Sequence, residues 1–555
     1  MPAIDHAGTC RGAAHRTRAL FVLVASLVVY AAAGLHHISL PGLQQDEAWD
    51  ALIALDTLHG APLGDTPSVT LLGHQLPLMS TTHEGPTIIY LSMPTLALAG
   101  PSVAALRFLH VMVGLLTLVL LWSLARRWGG ARTAAIAVGL TATFPAFVWW
   151  TRAGGNWNDP VLPAALGMVL LADRWLETRR PRDLAGALFL GGVGVTTKIL
   201  FVWMAVPLLL APLLCLGPVG SWQLLRSVRG RTAIAAGLAL AAGLMPMLAY
   251  NLSGAGTLRF VAANAVSTQL YGYDNRDIVR NVATQAVGFL RLMGGSTVVF
   301  SAPSGWPVGA LLFALGLAGM SNWLVRRWRT DRDARATDRA LRRRLFLLLT
   351  VVTVVPISAV TPTHASPAYL FIIVPFAWLL VAWAVVDGWD ALARRYPGRP
   401  WAGAAVLVVA LTAGNQTVTN VRVATHFDRT GGRGLWSDAV TTLASRVQHE
   451  WAGRPVAAMD WGFSRNVAFL TDGHIRPQEL YDASAKQSAA VADRCAAWMR
   501  DPSALYLFHV PRHTAFAGVR NIFEDTAHRL GRTVTLVEAL QDRDGEANTL
   551  VFAVQ

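Results

Sequence analysis

The residues best suited to chemistry lie just past the first long apolar run, in Gln44-Gln45-Asp46-Glu47-Ala48-Trp49-Asp50, where three carboxylates fall within five positions. Ionisable groups where a chain leaves a bilayer are costly to hold near lipid, so they mark a site once a partner can be named. Carboxylates placed this way can move protons or hold a cation. The candidate partners are His83-Glu84-Gly85-Pro86, Asn158-Asp159-Pro160 and Lys198. Each has an ordinary structural alternative. Asp46 suits the cap of an amphipathic helix running to His59, with Leu52, Leu55 and Leu58 towards lipid. Asp159 before Pro160 suits a helix start, and Lys198 suits an interfacial position from which its ammonium snorkels to water.

The elements that must position these groups are membrane helices. Apolar residues make up 53% of the 555 residues and charged ones only 14%. Runs of about 17–25 apolar residues, enough to cross a bilayer as a helix, recur from about residue 19 to about 419. The formal charge of +14 comes largely from arginine clusters between those runs. That is the positive-inside pattern, and it requires no nucleic acid. Cys10, Cys215 and Cys495 have neither metal nor redox spacing. The stretch after Arg16 and Arg18 reads as an uncleaved first span, because no small-residue cleavage site follows it.

Sidedness fixes the arrangement. The run 185–216 has arginines on both flanks, so it must cross twice or not at all. At ~1.5 Å per residue it can form two short spans broken at Thr196-Thr197-Lys198. This gives about eleven spans, the amino terminus inside and the carboxyl terminus outside. Residues 86–100, apolar but interrupted by proline, read as an interfacial helix. The expected architecture is therefore a polytopic α-helical membrane domain over residues 1–420. Residues 421–555, where short apolar segments alternate with helical patterns, form an extracytoplasmic α/β domain.

These motifs, with Ala105-Leu106-Arg107-Phe108, Thr151-Arg152 and the late Tyr369-Leu370-Phe371-Ile372-Ile373-Val374-Pro375, resemble GT-C superfamily glycosyltransferases. The type is that of the bacterial protein O-mannosyltransferases and aminoarabinose transferases. The likeness covers about residues 19–390. It implies transfer of a sugar from a polyprenyl phosphate to an acceptor hydroxyl, with inversion, at the extracytoplasmic face of a bacterial inner membrane. The acceptor is a lipid, a polysaccharide or a protein.

On this resemblance Asp46 is the catalytic base and Glu47 the second choice. The departing lipid phosphate needs cations more than a general acid. Lys198 is the first candidate, one of only two lysines among 47 basic residues, followed by Arg152 and Arg107. Arg107 is equally suited to be an interfacial anchor. Glu84, His83, Asp159 and His364 are candidates for the acceptor or a metal, with Glu84 and Asp159 the ligands of a divalent ion. A transporter or flippase of lipid-linked sugars would share the spans and the basic contacts. Such proteins show internal repeats and charges near the midplane, whereas here the acids gather at one face and no repeat is visible.

Overall fold

The computed structural model describes residues 6–154, 160–254, 256–266, 274–296, 305–330, 337–360, 367–481 and 488–555. Helix α1 (His6–Leu35) leads to α2 (Gln45–His59), a hairpin of β1 (Ser68–Leu71) and β2 (His74–Pro77), and α3 (Thr87–Ala99). Then come α4 (Val103–Thr143), α5 (Pro145–Ala153), α6 (Val161–Thr178), α7 (Pro181–Thr197), α8 (Ala205–Arg226) and α9 (Arg231–Gly254). Further long helices span Val308–Thr330, Arg339–Val360, Val374–Arg395 and Trp401–Thr430. Among the described residues, seven helices are long and apolar enough to cross a membrane.

Helix α4 holds two of the expected runs in one bent element. It turns at Gly130, whose φ of 81° is a conformation that only glycine adopts without strain. The helix Val374–Arg395 lies at the centre, with Val374 to Trp383 buried throughout. Aromatic side chains fill the space around it, including Phe144 against Trp378 at 5.4 Å. Residues 86–100 form the expected short helix α3. The expected break after α7 is present: Lys198 leaves the helix with φ −154° and ψ 126°, and a 3-10 turn, Ile199–Met204, leads into α8.

Two expectations are corrected. The helix Trp401–Thr430 runs past residue 420 and stops at Gly431, which takes a φ of 73°. The polar residues Arg422, His426 and Asp428 ended the apolar pattern early, while the helix itself continues beyond it. Secondly, Leu52 and Leu55 of α2 do not face lipid. They are 2% exposed and pack with Ile89, Leu106, Val440 and Phe469.

The sheet-bearing part of the chain that follows Gly431 supplies Val440 and Phe469. Its sheet contains β3 (Val456–Ala458), β4 (Gln478–Glu479), β5 (Leu505–His509), β6 (Val534–Gln541) and β7 (Ala547–Val554), in the order β4-β3-β5-β7-β6. Strand β3 runs parallel to β4 and β5, and β7 is antiparallel to β5 and β6. Side chains alternate across β5 as a strand requires. Tyr506 and Phe508 meet Phe523 on one face, and Leu505 and Leu507 meet Leu443 and Val467 on the other.

Candidate active site

Helix α2 opens the site. Gln44 is its N-cap, and its side-chain oxygen accepts the Asp46 N–H at 2.6 Å. The Gln44 amide also donates to the Asp46 carboxylate at 3.3 Å. Asp46 therefore does not cap the helix, and its carboxylate points elsewhere. Residues four apart share a helical face, whereas neighbours are about 100° apart. Asp50 thus lies on the Asp46 side, and Glu47 turns away.

The other half of the site forms where the loop before α3 meets the break after α7. The Gly85 N–H donates to Thr197 O and the Ile199 N–H to His83 O, both at 3.2 Å. This pairs Glu84 with Lys198 as a short antiparallel bridge. The Thr87 and Thr197 hydroxyls lie 2.7 Å apart beside it. A Cβ on Gly85 would fall 2.1 Å from Thr196 O, so only glycine permits this approach. Gly85→Ala is expected to push the two segments apart by about 1 Å and lower kcat by about 100-fold. Steady-state turnover of the folded variant checks this, and turnover at the wild-type rate would count against the bridge.

The bridge brings charges together in a buried place. Lys198 Nζ lies 2.7 Å from Glu84 Oε1, both side chains being almost wholly enclosed, and 4.9 Å from the centre of the Tyr369 ring. Glu84 Oε2 is buried with no hydrogen-bond partner among the described residues. His83 Nε2 is 3.7 Å from Glu84, and the His83 ring stacks on Phe260 at 4.5 Å. Burial, against the pull of Glu84, holds the His83 imidazolium below its ordinary range.

Asp46 shares this field. Burial, then the Glu84 charge, raises its carboxyl to about 7, while Lys198 and Gln44 pull it back. Asp50 is also raised to about 7, by burial first and Glu84 next, and the Ser80 hydroxyl donates to it. Three carboxylates around one ammonium leave an excess of negative charge, and protons on Asp46 and Asp50 relieve it near neutrality. Asp50, Tyr369 and Ser80 belong to the cluster although the sequence reading assigned none of them a site role. Asp50 gave a signal in its i+4 spacing from Asp46, and Tyr369 in opening the late motif, whereas Ser80 gave none.

Glu47 and Arg107 are elsewhere. Arg107 Nε and Nη2 form a two-pronged pair with Glu47 at 2.9 and 2.8 Å. The remaining donors reach Ile38 O, Pro41 O and Gly42 O at 3.2, 2.7 and 3.1 Å. A guanidinium has five N–H donors, and here all five are engaged, so Arg107 fixes the entrance to α2 and has no donor left for a phosphate. Glu47, locked in the same pair, is not placed to act as a base. Arg152 turns the same way. It donates to His37 O, to Leu40 O at 2.6 Å and to Ala33 O at 3.4 Å, and its guanidinium lies 4.8 Å from the Trp149 ring. Both arginines thus hold the chain after α1 in place.

Asp159 and His364 lie outside the described residues. Of the expected metal ligands, Glu84 Oε1 is engaged by Lys198, and Oε2 is the acceptor suited to an ion. Two other groups of described residues bring three ligand atoms close together: His36, His37 and Asp428, and Asp542, Asp544 and Glu546.

The carboxyl-terminal domain roofs the helix that carries Asp46. The Gly462 N–H donates to Gln45 Oε1 and Asn466 Nδ2 to Leu43 O, both at 2.7 Å. Arg476 grips Asp56 with two bonds, at 3.1 and 2.5 Å, and Arg465 lies over Trp49 at 4.2 Å.

Residues 83–250 match the family model described as dolichyl-phosphate-mannose-protein mannosyltransferase. The matched segment holds Glu84, Arg107, Arg152 and Lys198. The whole chain superposes on ArnT from Cupriavidus metallidurans in the apo state with a TM-score of 0.60, covering 97% of this chain and 98% of that one at 13% identity. The chain has the fold of a GT-C membrane glycosyltransferase. ArnT from the same organism bound to undecaprenyl phosphate gives a TM-score of 0.57 at 13% identity, covering 96% and 97% of the two chains. No curated protein matches in sequence. Seven helices long and apolar enough to cross a membrane support a multi-pass membrane protein, and the likeness to ArnT extends through the carboxyl-terminal domain.

Proposed function

We propose that the protein transfers a sugar from a polyprenyl phosphate to an acceptor hydroxyl at the extracytoplasmic face of a bacterial inner membrane. The observation that carries this reading is the cluster of half-buried Asp46 with buried Glu84 and Lys198, a base candidate beside a cation on a GT-C fold. The ArnT neighbour bound to undecaprenyl phosphate supports a donor of that class. The arginine clusters at the opposite ends of the helices support the sidedness, which leaves the carboxyl-terminal domain outside, over the site.

In this mechanism the acceptor oxygen attacks the anomeric carbon as Asp46 takes its proton. The bond from that carbon to the phosphate oxygen breaks, and its electron pair leaves with the lipid phosphate. A single displacement of this kind inverts the centre. Lys198, held in place by Glu84, faces the charge that grows on the phosphate. A divalent ion held by Glu84 Oε2 would add positive charge there. Asp50 shares the Asp46 face, where its carboxyl can orient the acceptor.

The test incubates the full-length protein in nanodiscs with a panel of polyprenyl-phosphate sugars and an acceptor extract. Release of free polyprenyl phosphate from one donor is expected. Lys198→Ala should reduce that release by about 10²- to 10³-fold, the range seen when one charge-stabilising donor is lost. Movement of an intact lipid-linked sugar across the bilayer, with no release, would instead identify a flippase.

A further inference from the structure

At the far end of the helices from Lys198, a cavity of about 250 Å³ opens between α6, α8 and the helix Arg339–Val360. Helix α7 separates the two places. Leu184 in its first turn lines the cavity, while Lys198 follows the end of the helix, about 21 Å away at 1.5 Å per residue.

The walls are apolar, with Val169, Leu208, Pro212, Leu216, Leu224 and Phe346 among them. Leu176, also in the lining, is 42% exposed, and Leu209, Leu213 and Leu225 on α8 are exposed beside it. In a membrane protein such a surface faces lipid tails. Trp128 and Trp175 also line the cavity, and tryptophan favours the headgroup level.

One end of the cavity is cationic. Arg339, Arg342 and Arg343 line it together with Asp173 and Glu177. The two acids are already shared. Asp173 meets Arg127 at 2.5 Å and Arg343 at 2.8 Å. Glu177 meets Arg127 and Arg343 at 2.7 Å and Arg339 at 3.2 Å. Among the described residues, four arginines therefore stand against two carboxylates there. Arg342 is half-buried and has no side-chain hydrogen bond or ion pair among the described residues. A guanidinium with an apolar wall on one side favours a phosphate oxygen, which it can grip with two bonds.

We infer that this cavity binds an anionic phospholipid of the surrounding membrane, one acyl chain lying along α8 and the phosphodiester resting on Arg342. The apolar wall favours a ligand with acyl chains over a free anion, and the excess of positive charge among the described residues disfavours a zwitterionic headgroup.

The test uses the full chain in detergent, with phosphatidylglycerol, phosphatidylcholine of the same chains, inorganic phosphate and undecaprenyl phosphate as probes. Phosphatidylglycerol is expected to raise Tm and to remain bound as one lipid in native mass spectrometry, at least tenfold tighter than phosphatidylcholine. A photoactivatable phosphatidylglycerol should cross-link within residues 205–226. Arg342→Gln should lose most of this preference, and Arg342→Lys should keep part of it. Equal stabilisation by phosphatidylcholine, stabilisation by inorganic phosphate, tighter binding of undecaprenyl phosphate, or cross-links elsewhere would each overturn the assignment. The cross-link and the lipid comparison use wild-type protein, so they decide the matter even if a variant misfolds.

Discussion

Asp46→Asn is expected to lower kcat by about 10²- to 10⁴-fold, the usual contribution of a positioned base, with donor affinity nearly unchanged. Asparagine can still accept the bond from Gln44 but cannot take a proton. Its pH behaviour adds a sharper test. Because the carboxyl is raised to about 7, wild-type kcat/KM should rise with pH through that value as Asp46 loses its proton. Asp50 is raised to a similar value, so the limb belongs to the coupled pair. Glu84→Gln removes the neighbouring negative charge and leaves the Lys198 ammonium beside Asp46. Both changes favour the carboxylate, so the acid limb should move to lower pH even though the maximum rate falls. A limb that stays put in Glu84→Gln would count against Asp46 as the titrating base.

The same shift makes a stability claim. The folded protein keeps protons on Asp46 and Asp50 that an unfolded chain loses from about pH 4 upward. Native protein therefore binds more protons between about 4 and 7, and stability falls as pH rises through that window. Asp46→Asn should then melt several degrees above wild type at pH 8, and by less at pH 5. The residue that drives turnover would be one that the fold holds at a cost. Differential scanning fluorimetry at the two pH values measures this.

Arg107→Ala is expected to be the most damaging substitution to the fold, costing about 3–5 kcal/mol. It would leave the Glu47 carboxylate buried without its partner and three backbone carbonyls without donors. Arg107→Lys should recover little, because an ammonium cannot reproduce a planar fork that serves one carboxylate and three carbonyls. Adding Glu47→Leu to Arg107→Met should recover part of the loss, since the stranded charge is then gone. Melting temperature and the yield of monodisperse protein report the effect. Wild-type stability in Arg107→Lys would show that the geometry of the fork is unimportant. Turnover in any surviving variant should fall as well, because α2 carries both Glu47 and Asp46.

The gross plan of the molecule was legible from residue patterns. Apolar runs and arginine clusters placed the helices, the short helix before Gly100 and the break at Thr196-Thr197-Lys198. A break there was forced by sidedness, because a run flanked by arginines on both sides cannot cross once. The alternation after residue 420 announced a sheet domain, although the polar end of the helix Trp401–Thr430 hid where it begins. These features are local, since hydropathy, period and charge within some twenty residues determine them.

The partnership of each polar group was a different matter. Arg107 lies 60 positions from Glu47, and nothing in Ala105-Leu106-Arg107-Phe108 distinguishes a guanidinium bound for carbonyls from one bound for a phosphate. Gln44 took the cap that Asp46 was suited to, and so released the Asp46 carboxylate to meet Glu84 and Lys198. The covering of Leu52 and Leu55 depended on a domain some four hundred residues later in the chain. Sequence alone thus determined which residues lie beyond the ends of the apolar runs. Tertiary structure decided which charges meet, because a buried charge is tolerated only beside a partner, and the partners come from distant parts of the chain.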